Sequence, residues 1–368
     1  MGGEQMNALP PYQAVLTQGL EELDKSKVTP RQWQVLHHLR DCRTERMGSY
    51  DWRCQQCGHE TRWYCSCRDR HCPNCQEQMR QQWLTKRSQD ILPVAYHHMV
   101  FTLPHEFNAL VKAHPKVVYQ CLFHSVWATL CAFANERHHL VGQLGALMVL
   151  HTWGRNLSQH THIHCLLPSG VLTKDRQWQP TRKESYLLPV KALSVRFKKE
   201  MLCRVSELIA THGNLLEEAA SKRWVVYSKP VLHEPTAVVG YLSRYCNRIG
   251  LNPNQLSYNV DGRITMSYKD YRTNGTQRMC CNTGELLRRL LLHVLPKGLM
   301  RIRYYGFLAN AVRVKAIAEI RQSLRKRPAE KSEVLKEKPC CPNCHSNSMV
   351  LVCINIRPRI VVSEHRLT

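Results

Sequence analysis

The sequence predicts an α+β protein built around a largely antiparallel sheet. Through the middle of the 368-residue chain, strand signals alternate with helix signals. Two apolar strands, GALMVLHTWG (145–154) and HIHCLLPSG (162–170), are joined by one polar turn. A third stretch, QLSYNVDGRITMSYKDY (255–271), reads as a hairpin around Asp261-Gly262, the favoured type I′ pair.

The other elements follow in chain order. Residues 1–45 are expected to be helical, with Thr29 as N-cap and Pro30 at the first helical position of RQWQVLHHLRDC. A connecting helix over 81–95 should stop before Pro93. YHHMVFTLP (96–104) is a strand ended by Pro104, and 106–135 is a long helical stretch. LSVRFKKEMLCRVSELI (193–209) has helical spacing of its apolar residues, and RWVVYSKPVL (223–232) is a strand. TAVVGYLSRYCNRIG (236–250) is a helix closed by Gly250. ELLRRLLLHVLP is a helix ended by Pro296, and the charged, proline-bearing 321–339 segment is a linker. Three regions follow: 1–90, helical and zinc-binding; 91–280, the catalytic core; and 281–368, a basic helical region with a tail.

Composition narrows the function. The chain has 52 Lys plus Arg against 28 Asp plus Glu, a formal charge of +24, which points to a polyanion, and most economically to nucleic acid. No run of 18 apolar residues suggests a membrane span, and MGGEQMNALPPYQAVLTQGL lacks the pattern of a secretory signal. A cytosolic setting follows, where clustered cysteines more often bind metal than form disulfides.

Seven of the 18 cysteines lie between Cys42 and Cys75 and four between Cys340 and Cys353. Cys54-x-x-Cys57 and Cys72-x-x-Cys75, with 14 residues between them, are two knuckles expected to complete one tetrahedral four-sulfur zinc site. Gly58 follows the first knuckle, where a tight turn needs it. Cys42, Cys65 or Cys67, and His71 are within reach of a second zinc; otherwise they are buried thiols and solvent-facing imidazoles. Cys341-Pro342-Asn343-Cys344 is half a ribbon, with Cys340, His345 or Cys353 to complete it, and no independent zinc is expected there. Interleaved Arg43, Arg53, Arg62, Arg68 and Arg70 suit DNA contact.

HTHIHCLL (160–167) carries the chemistry. Alternate side chains of a strand share a face, so His162 and His164 project together, ~6.6–7 Å apart at Cα, which suits two imidazoles on one divalent ion. Ile163 and Cys165 point to the opposite, packed face. His160 has the right parity but joins only if the strand bends. Histidines repeated at period two in an apolar strand are costly without a role. The adjacent pairs His37-His38, His97-His98 and His138-His139 face opposite ways in a strand and read as structural. Tyr241 and Tyr245 stand at i and i+4 on one helix face, with Arg244 and Arg248 on a neighbouring edge. Taken alone, the pair fits an amphipathic helix with aromatic core residues; beside arginines and a metal, a phenolate becomes usable as a nucleophile.

Together these stretches resemble the rolling-circle transposases of the insertion-sequence-91 family, within the HUH (His-hydrophobic-His) endonucleases. The resemblance rests on CRTERMGSYDWRCQQCGHE, SCRDRHCPNCQ, HHMVFTLPHE, LMVLHTWGRNLSQHTHIHCLLPSGVL, RWVVYSKP, VVGYLSRYCNRIG, GRITMSYKDYR and LLRRLLLHVLPKGLMRIRYYGFLAN, in family order from about residue 42 to 310. It implies an HUH-type central antiparallel sheet flanked by helices, behind an N-terminal zinc-ribbon-like module. His162 and His164 match the metal ligands, Tyr241 and Tyr245 the paired nucleophiles, and Cys54, Cys57, Cys72 and Cys75 the zinc module. Two positions depart from the pattern: Thr161 stands where the family usually has proline, and Arg155 where glutamine or a similar residue is expected. The third ligand is thereby open among Asn156, Gln159 and His160.

The implied activity is cutting and rejoining of single-stranded DNA, with Mg2+ or Mn2+ on the histidines and structural Zn2+ on the cysteines. Tyr241 or Tyr245 would form a 5′-phosphotyrosine, with Arg244 and Arg248 contacting phosphate or phenolate. The implied setting is the bacterial cytoplasm, at the nucleoid when active. Two rival readings stand beside it. HTHIHCLL also resembles the histidine triad of nucleotide hydrolases, and the cysteines and charge alone would fit a noncatalytic zinc-dependent DNA-binding protein.

Overall fold

The computed structural model describes residues 11–135, 140–181, 188–208, 213–231, 238, 240, 253–259, 261–270, 275–325 and 339–355. The front holds α1 (Pro11–Glu22), α2 (Pro30–Asp41), the hairpin β1 (Ser49–Cys54) and β2 (Glu60–Tyr64), and α3 (Pro73–Ser88). The middle runs β3 (Tyr96–Thr102), α4 (Phe107–Ala113), α5 (Pro115–Asn135), β4 (Gly145–Trp153), β5 (Gln159–Pro168), the short pair β6 (Gly170–Leu172) and β7 (Trp178–Pro180), α6 (Val190–Leu208), α7 (Gly213–Ser221) and β8 (Val225–Val231). Then come β9 (Leu256–Tyr258), β10 (Ile264–Asp270), β11 (Gly275–Cys281), α8 (Thr283–Leu291), β12 (Ile302–Gly306), α9 (Arg313–Ser323) and β13 (Met349–Asn355).

The centre is a five-stranded antiparallel sheet in the order β12-β4-β5-β3-β8, with β5 in the middle. One face packs against α4–α7: Met99, Phe101, Met148, Leu150, Ile163, Cys165 and Leu167 meet Leu122, Phe123, Val126, Phe197 and Met201, all buried. The other face buries Tyr96, Leu147, Val149 and Leu166 against Phe307, Ala316, Ile317 and Ile320. The α+β architecture follows the sequence reading, with helices on both sides of a central antiparallel sheet. α5 is apolar and long enough to cross a membrane, but it serves as a core helix against that sheet.

The differences have local causes. The capping box at Thr29 forms as the sequence predicts, Thr29 and Gln32 bonding reciprocally. The connecting helix begins eight residues early, because Cys72-Pro73 supplies a start with proline in the first turn. Pro115 splits the 106–135 stretch into α4 and α5. The Asp261-Gly262 turn forms, but β10 is the middle strand of a β11-β10-β9 sheet rather than half of an isolated hairpin. The short, mixed strand β12 (IRYYG) carries no clear period, and it closes one edge of the central sheet. The tyrosine helix of 236–250, the His138-His139 pair and most of the 321–339 linker lie outside the described residues, apart from Val238 and Gly240.

Gly306 is needed where β12 meets β4. Its φ is +60°, and a Cβ there would stand 1.7 Å from the Leu144 carbonyl oxygen. Gly306→Ala should therefore cost about 2–4 kcal/mol of stability through backbone strain. The check is the urea midpoint of the variant against the parent chain.

Candidate metal centres

β5 lies between β4 and β3, and from His162 to Leu166 its backbone is paired in regular register on both sides, so its side chains alternate there. Ile163 and Cys165 are fully buried under the helices. His162 and His164 take the other face, and the register sets His151 of β4 directly opposite His162. The three imidazoles offer nitrogens that all lie within 4.8 Å of one another. Nε2 of His162 and Nε2 of His164 stand 3.1 Å apart. That is about the separation of two ligands bound at right angles ~2.1–2.2 Å from one ion.

The surrounding bonds suit the lone-pair form of both rings. Nδ1–H of His162 donates to the His160 carbonyl at 2.8 Å, which leaves Nε2 free of its proton. Nδ1 of His164 meets Nε2 of His98 at 2.8 Å, and the two rings stack with centroids 5.0 Å apart. When His164 offers Nε2 to a cation, its Nδ1–H donates to His98. That is the second contact by which metal-binding histidines are usually held in one tautomer. His98 therefore does more than fill the sheet: it faces the histidine side while His97, its neighbour, bonds Ser169 on the other.

The third residue of the group is His151, not one of the three expected. The side chain of His160 is exposed and outside the group, and its part is the carbonyl that orients His162. Asn156 lies in the β4–β5 turn with its side-chain oxygen taken by the Ser158 N–H. Gln159 pairs with Trp153 on the far side of the register shift between β4 and β5. Arg155, the departure from the family pattern, donates to the Lys269 carbonyl of β10. His151 stands alone in an apolar strand, where a single histidine reads as structural; only the β4–β5 register reveals it.

The cysteines correct the single-site expectation. Cys54, Cys57, Cys72 and Cys75 do not converge. Cys72 and Cys75 join Cys42 and Cys67 in one four-sulfur group, and Cys54 and Cys57 join Cys341 and Cys344 in another. In the first, Cys75 Sγ is 3.5 Å from Cys42 Sγ and 3.6 Å from Cys67 Sγ, close to the ~3.8 Å edge of a tetrahedron around zinc. The physical reason is the β1–β2 hairpin: Cys54 ends β1 and Cys57 lies in the turn, so the first knuckle sits at the hairpin's tip, whereas Cys72 and Cys75 lie at the start of α3. His71 is no ligand candidate here. Its Nε2 accepts the Leu295 N–H at 3.3 Å, so Nδ1–H donates to Asp69 at 2.8 Å. Of the front-module arginines, Arg53 and Arg62 pair with Glu60 and Asp51, and Arg70 donates to the Leu299 carbonyl. Both surface pairs are weak enough to yield to a phosphate.

Tyr241, Arg244, Tyr245 and Arg248 lie outside the described residues. Val238, three residues before Tyr241, is fully buried in the core on the histidine side of the sheet.

A sheet bearing an imidazole triad, fronted by a cysteine-rich metal module, defines a class of zinc-containing, nucleic-acid-directed proteins, and the comparisons make it specific. A family model described as "Transposase zinc-binding domain" matches residues 15–103, and one described as "Putative transposase" matches residues 145–316. The chain is 35% identical over 359 residues to "Putative transposase y4qJ" of Sinorhizobium fredii, covering 89% of this chain and 90% of that protein. It is 27% identical over 304 residues to "Transposase for insertion sequence element IS801" of Pseudomonas savastanoi pv. phaseolicola, covering 77% and 72%. No solved structure matches the chain. The chain belongs to the insertion-sequence-91 family of transposases. It is thus an enzyme class that cleaves and transfers DNA, with a zinc-binding module at its front. That membership favours the transposase reading over the nucleotide-hydrolase and noncatalytic ones.

The buried histidines set a pH dependence. Burial pushes His98, His162 and His293 down to about 4, so the folded chain holds them neutral. The unfolded chain protonates them near ~6.5. Stability is therefore fully present above ~6.5 and falls as the pH drops from there toward 4. The urea midpoint should decline across that window, and His293→Asn should show a shallower decline.

Proposed function

We propose that this transposase cuts and rejoins single-stranded DNA with a tyrosine nucleophile, in the manner of HUH endonucleases. The observation that carries the reading is the imidazole triad on the central strands, with Val238 buried on the same face three residues before Tyr241.

Tyr241 or Tyr245 supplies a phenolate oxygen that attacks phosphorus. The P–O3′ bond breaks, the leaving oxygen takes up a proton as a 3′-hydroxyl, and the 5′ end remains as a phosphotyrosine. Strand transfer is the reverse exchange: a 3′-hydroxyl attacks the phosphotyrosine, and the tyrosine leaves as a phenol. No water is consumed, so the bond energy is kept for rejoining. With two tyrosines, one holds an end while the other cuts. Arg244 and Arg248, three residues after each tyrosine, neutralise phosphate or hold the phenolate below its usual pKa of ~10. His151, His162 and His164 are the residues that hold a divalent ion, and His98 orients His164. When bound, that ion withdraws charge from the scissile phosphate. Three nitrogen donors favour Mn2+ over the harder, oxygen-seeking Mg2+. The +24 charge tracks the DNA backbone.

Labelled single-stranded DNA carrying the element end, incubated with the protein and Mn2+, should yield a denaturant-stable protein–DNA adduct. The Tyr241→Phe/Tyr245→Phe double variant should yield none, and His162→Ala a large reduction. No adduct with the parent chain, or an undiminished one with the double variant, defeats the reading. His98→Ala should weaken Mn2+ binding ~10–100-fold by paramagnetic-resonance titration, with partial recovery in His98→Gln, whose amide oxygen still accepts a hydrogen bond.

A further inference from the structure

We propose that Cys54, Cys57, Cys341 and Cys344 hold a second zinc ion, which fastens the C-terminal strand β13 to the N-terminal hairpin. Two of these ligands lie beyond residue 316, outside both matched family regions. The inference stands on the cysteine geometry alone and does not depend on the tyrosine mechanism.

The four sulfurs lie within 4.8 Å of one another, with Cys54 to Cys344 at 3.6 Å and Cys57 to Cys341 at 3.7 Å. Those are tetrahedral edges around a zinc ion with Zn–S of ~2.3 Å, and are far longer than a disulfide bond of ~2.05 Å. The two knuckles are also the same turn. Cys54 N–H donates to the His59 carbonyl at 2.9 Å, and Cys341 N–H to the Ser346 carbonyl at 2.8 Å. Gly58 N–H donates back to the Cys54 carbonyl at 2.9 Å, and His345 N–H to the Cys341 carbonyl at 2.9 Å. The fourth residue after each leading cysteine has a left-handed φ, +71° at Gly58 and +57° at His345. Glycine adopts that φ freely, whereas a histidine there must be held by its surroundings. Two matching knuckles facing each other across four sulfurs make a complete zinc ribbon, assembled from segments at opposite ends of the chain.

The rest of the module explains why a metal is needed. β13 pairs antiparallel with β1, Cys54 opposite Met349. Among the described residues, the buried apolar side chains of this cluster are Cys54, Cys341 and Met349, with Trp52 and Cys344 packed against them. So small a core does not hold a strand by burial. A metal that closes a loop of this length gains from the entropy already removed by crosslinking. Cys57 is exposed and Cys344 half-buried, whereas Cys42, Cys72 and Cys75 of the inner group are buried. The outer ion should therefore leave first.

The test counts metal on the purified full-length chain by elemental analysis. The parent for this count carries His162→Ala/His164→Ala, which removes the imidazole site; two zinc ions per chain are expected in it, falling to one when Cys341→Ser/Cys344→Ser is added. The Cys340→Ser/Cys353→Ser variant, which alters neighbouring cysteines outside the group, should keep two. One ion in the parent chain, or two in Cys341→Ser/Cys344→Ser, overturns the site. Cobalt substitution guards against misfolding, since the variant should keep the inner-group thiolate absorption at about half the parent intensity; loss of all of it, with the fold retained by circular dichroism, also overturns the site. To test the fastening, a protease site is placed after Glu330 and the chain is cut there. The tail fragment should co-elute with the body in zinc and separate once chelator has removed the first ion. Separation in zinc, or retention after that ion is lost, overturns the clasp.

Discussion

The alternation of side chains along β5 is the constraint on which the candidate catalytic face depends. From His162 to Leu166, β5 is paired in regular register on both edges, so it cannot twist one residue out of line there. A slip of one residue would carry His162 and His164 into the helix-packed core and turn Ile163 and Cys165 toward the site. Burying two imidazoles among Phe101, Phe123 and Phe197 costs far more than the strand can gain elsewhere. The apolar half of HTHIHCLL thus fixes the direction of its polar half. The same register delivers His151, because a residue opposite His162 on β4 shares its face.

That reasoning also marks what could be read from the chain alone. Period two in 160–167 is local, so the facing of His162 and His164 was legible without any partner strand. His151 was not, because its role depends on which residue it opposes, and pairing register is a property of two strands. The cysteines divide in the same way. Each CxxC is a local turn and was legible as a knuckle. Which knuckle meets which is decided by where β1–β2 and β13 carry them, and the short spacing between Cys57 and Cys72 pointed to the wrong pair. The linker region concealed the answer further, since nothing in 321–339 says that the tail returns to the front. β12 escaped for a plainer reason: five residues with two tyrosines and an arginine have no period to detect.

The inner cysteine group is tied to the histidine face by one short segment of chain. Cys42, Cys72 and Cys75 share a core with Leu286, Leu287, Leu290 and Leu291 of α8, and with Leu157 of the β4–β5 turn. Leu157 is fully buried with a left-handed φ of 58°, a conformation a bulky residue keeps only when its side chain is anchored. The anchor is that core. Beyond α8, His293 meets the Thr152 hydroxyl at 3.2 Å and donates to the Leu157 carbonyl at 3.1 Å. Arg289 donates to the Asn156 carbonyl, and Leu295 N–H reaches His71, which lies next to Cys72.

Residues 289–295 therefore form a splint. One side grips the turn that joins His151 to His162, and the other grips the loop that carries the inner cysteines. The turn is where β4 and β5 slip register, between His151 and Trp153, so it is the place where the spacing of the two histidines could drift. A zinc ion in the inner group would hold the loop at His71 and Cys72, and the bonds through Leu295, His293 and Leu157 run on from that loop to the bulge. This chain of contacts is a mechanical route from the zinc module to the proposed histidine site. It reaches that site without touching DNA or the scissile phosphate, because it ends at the bulge next to the His151–His162 pair.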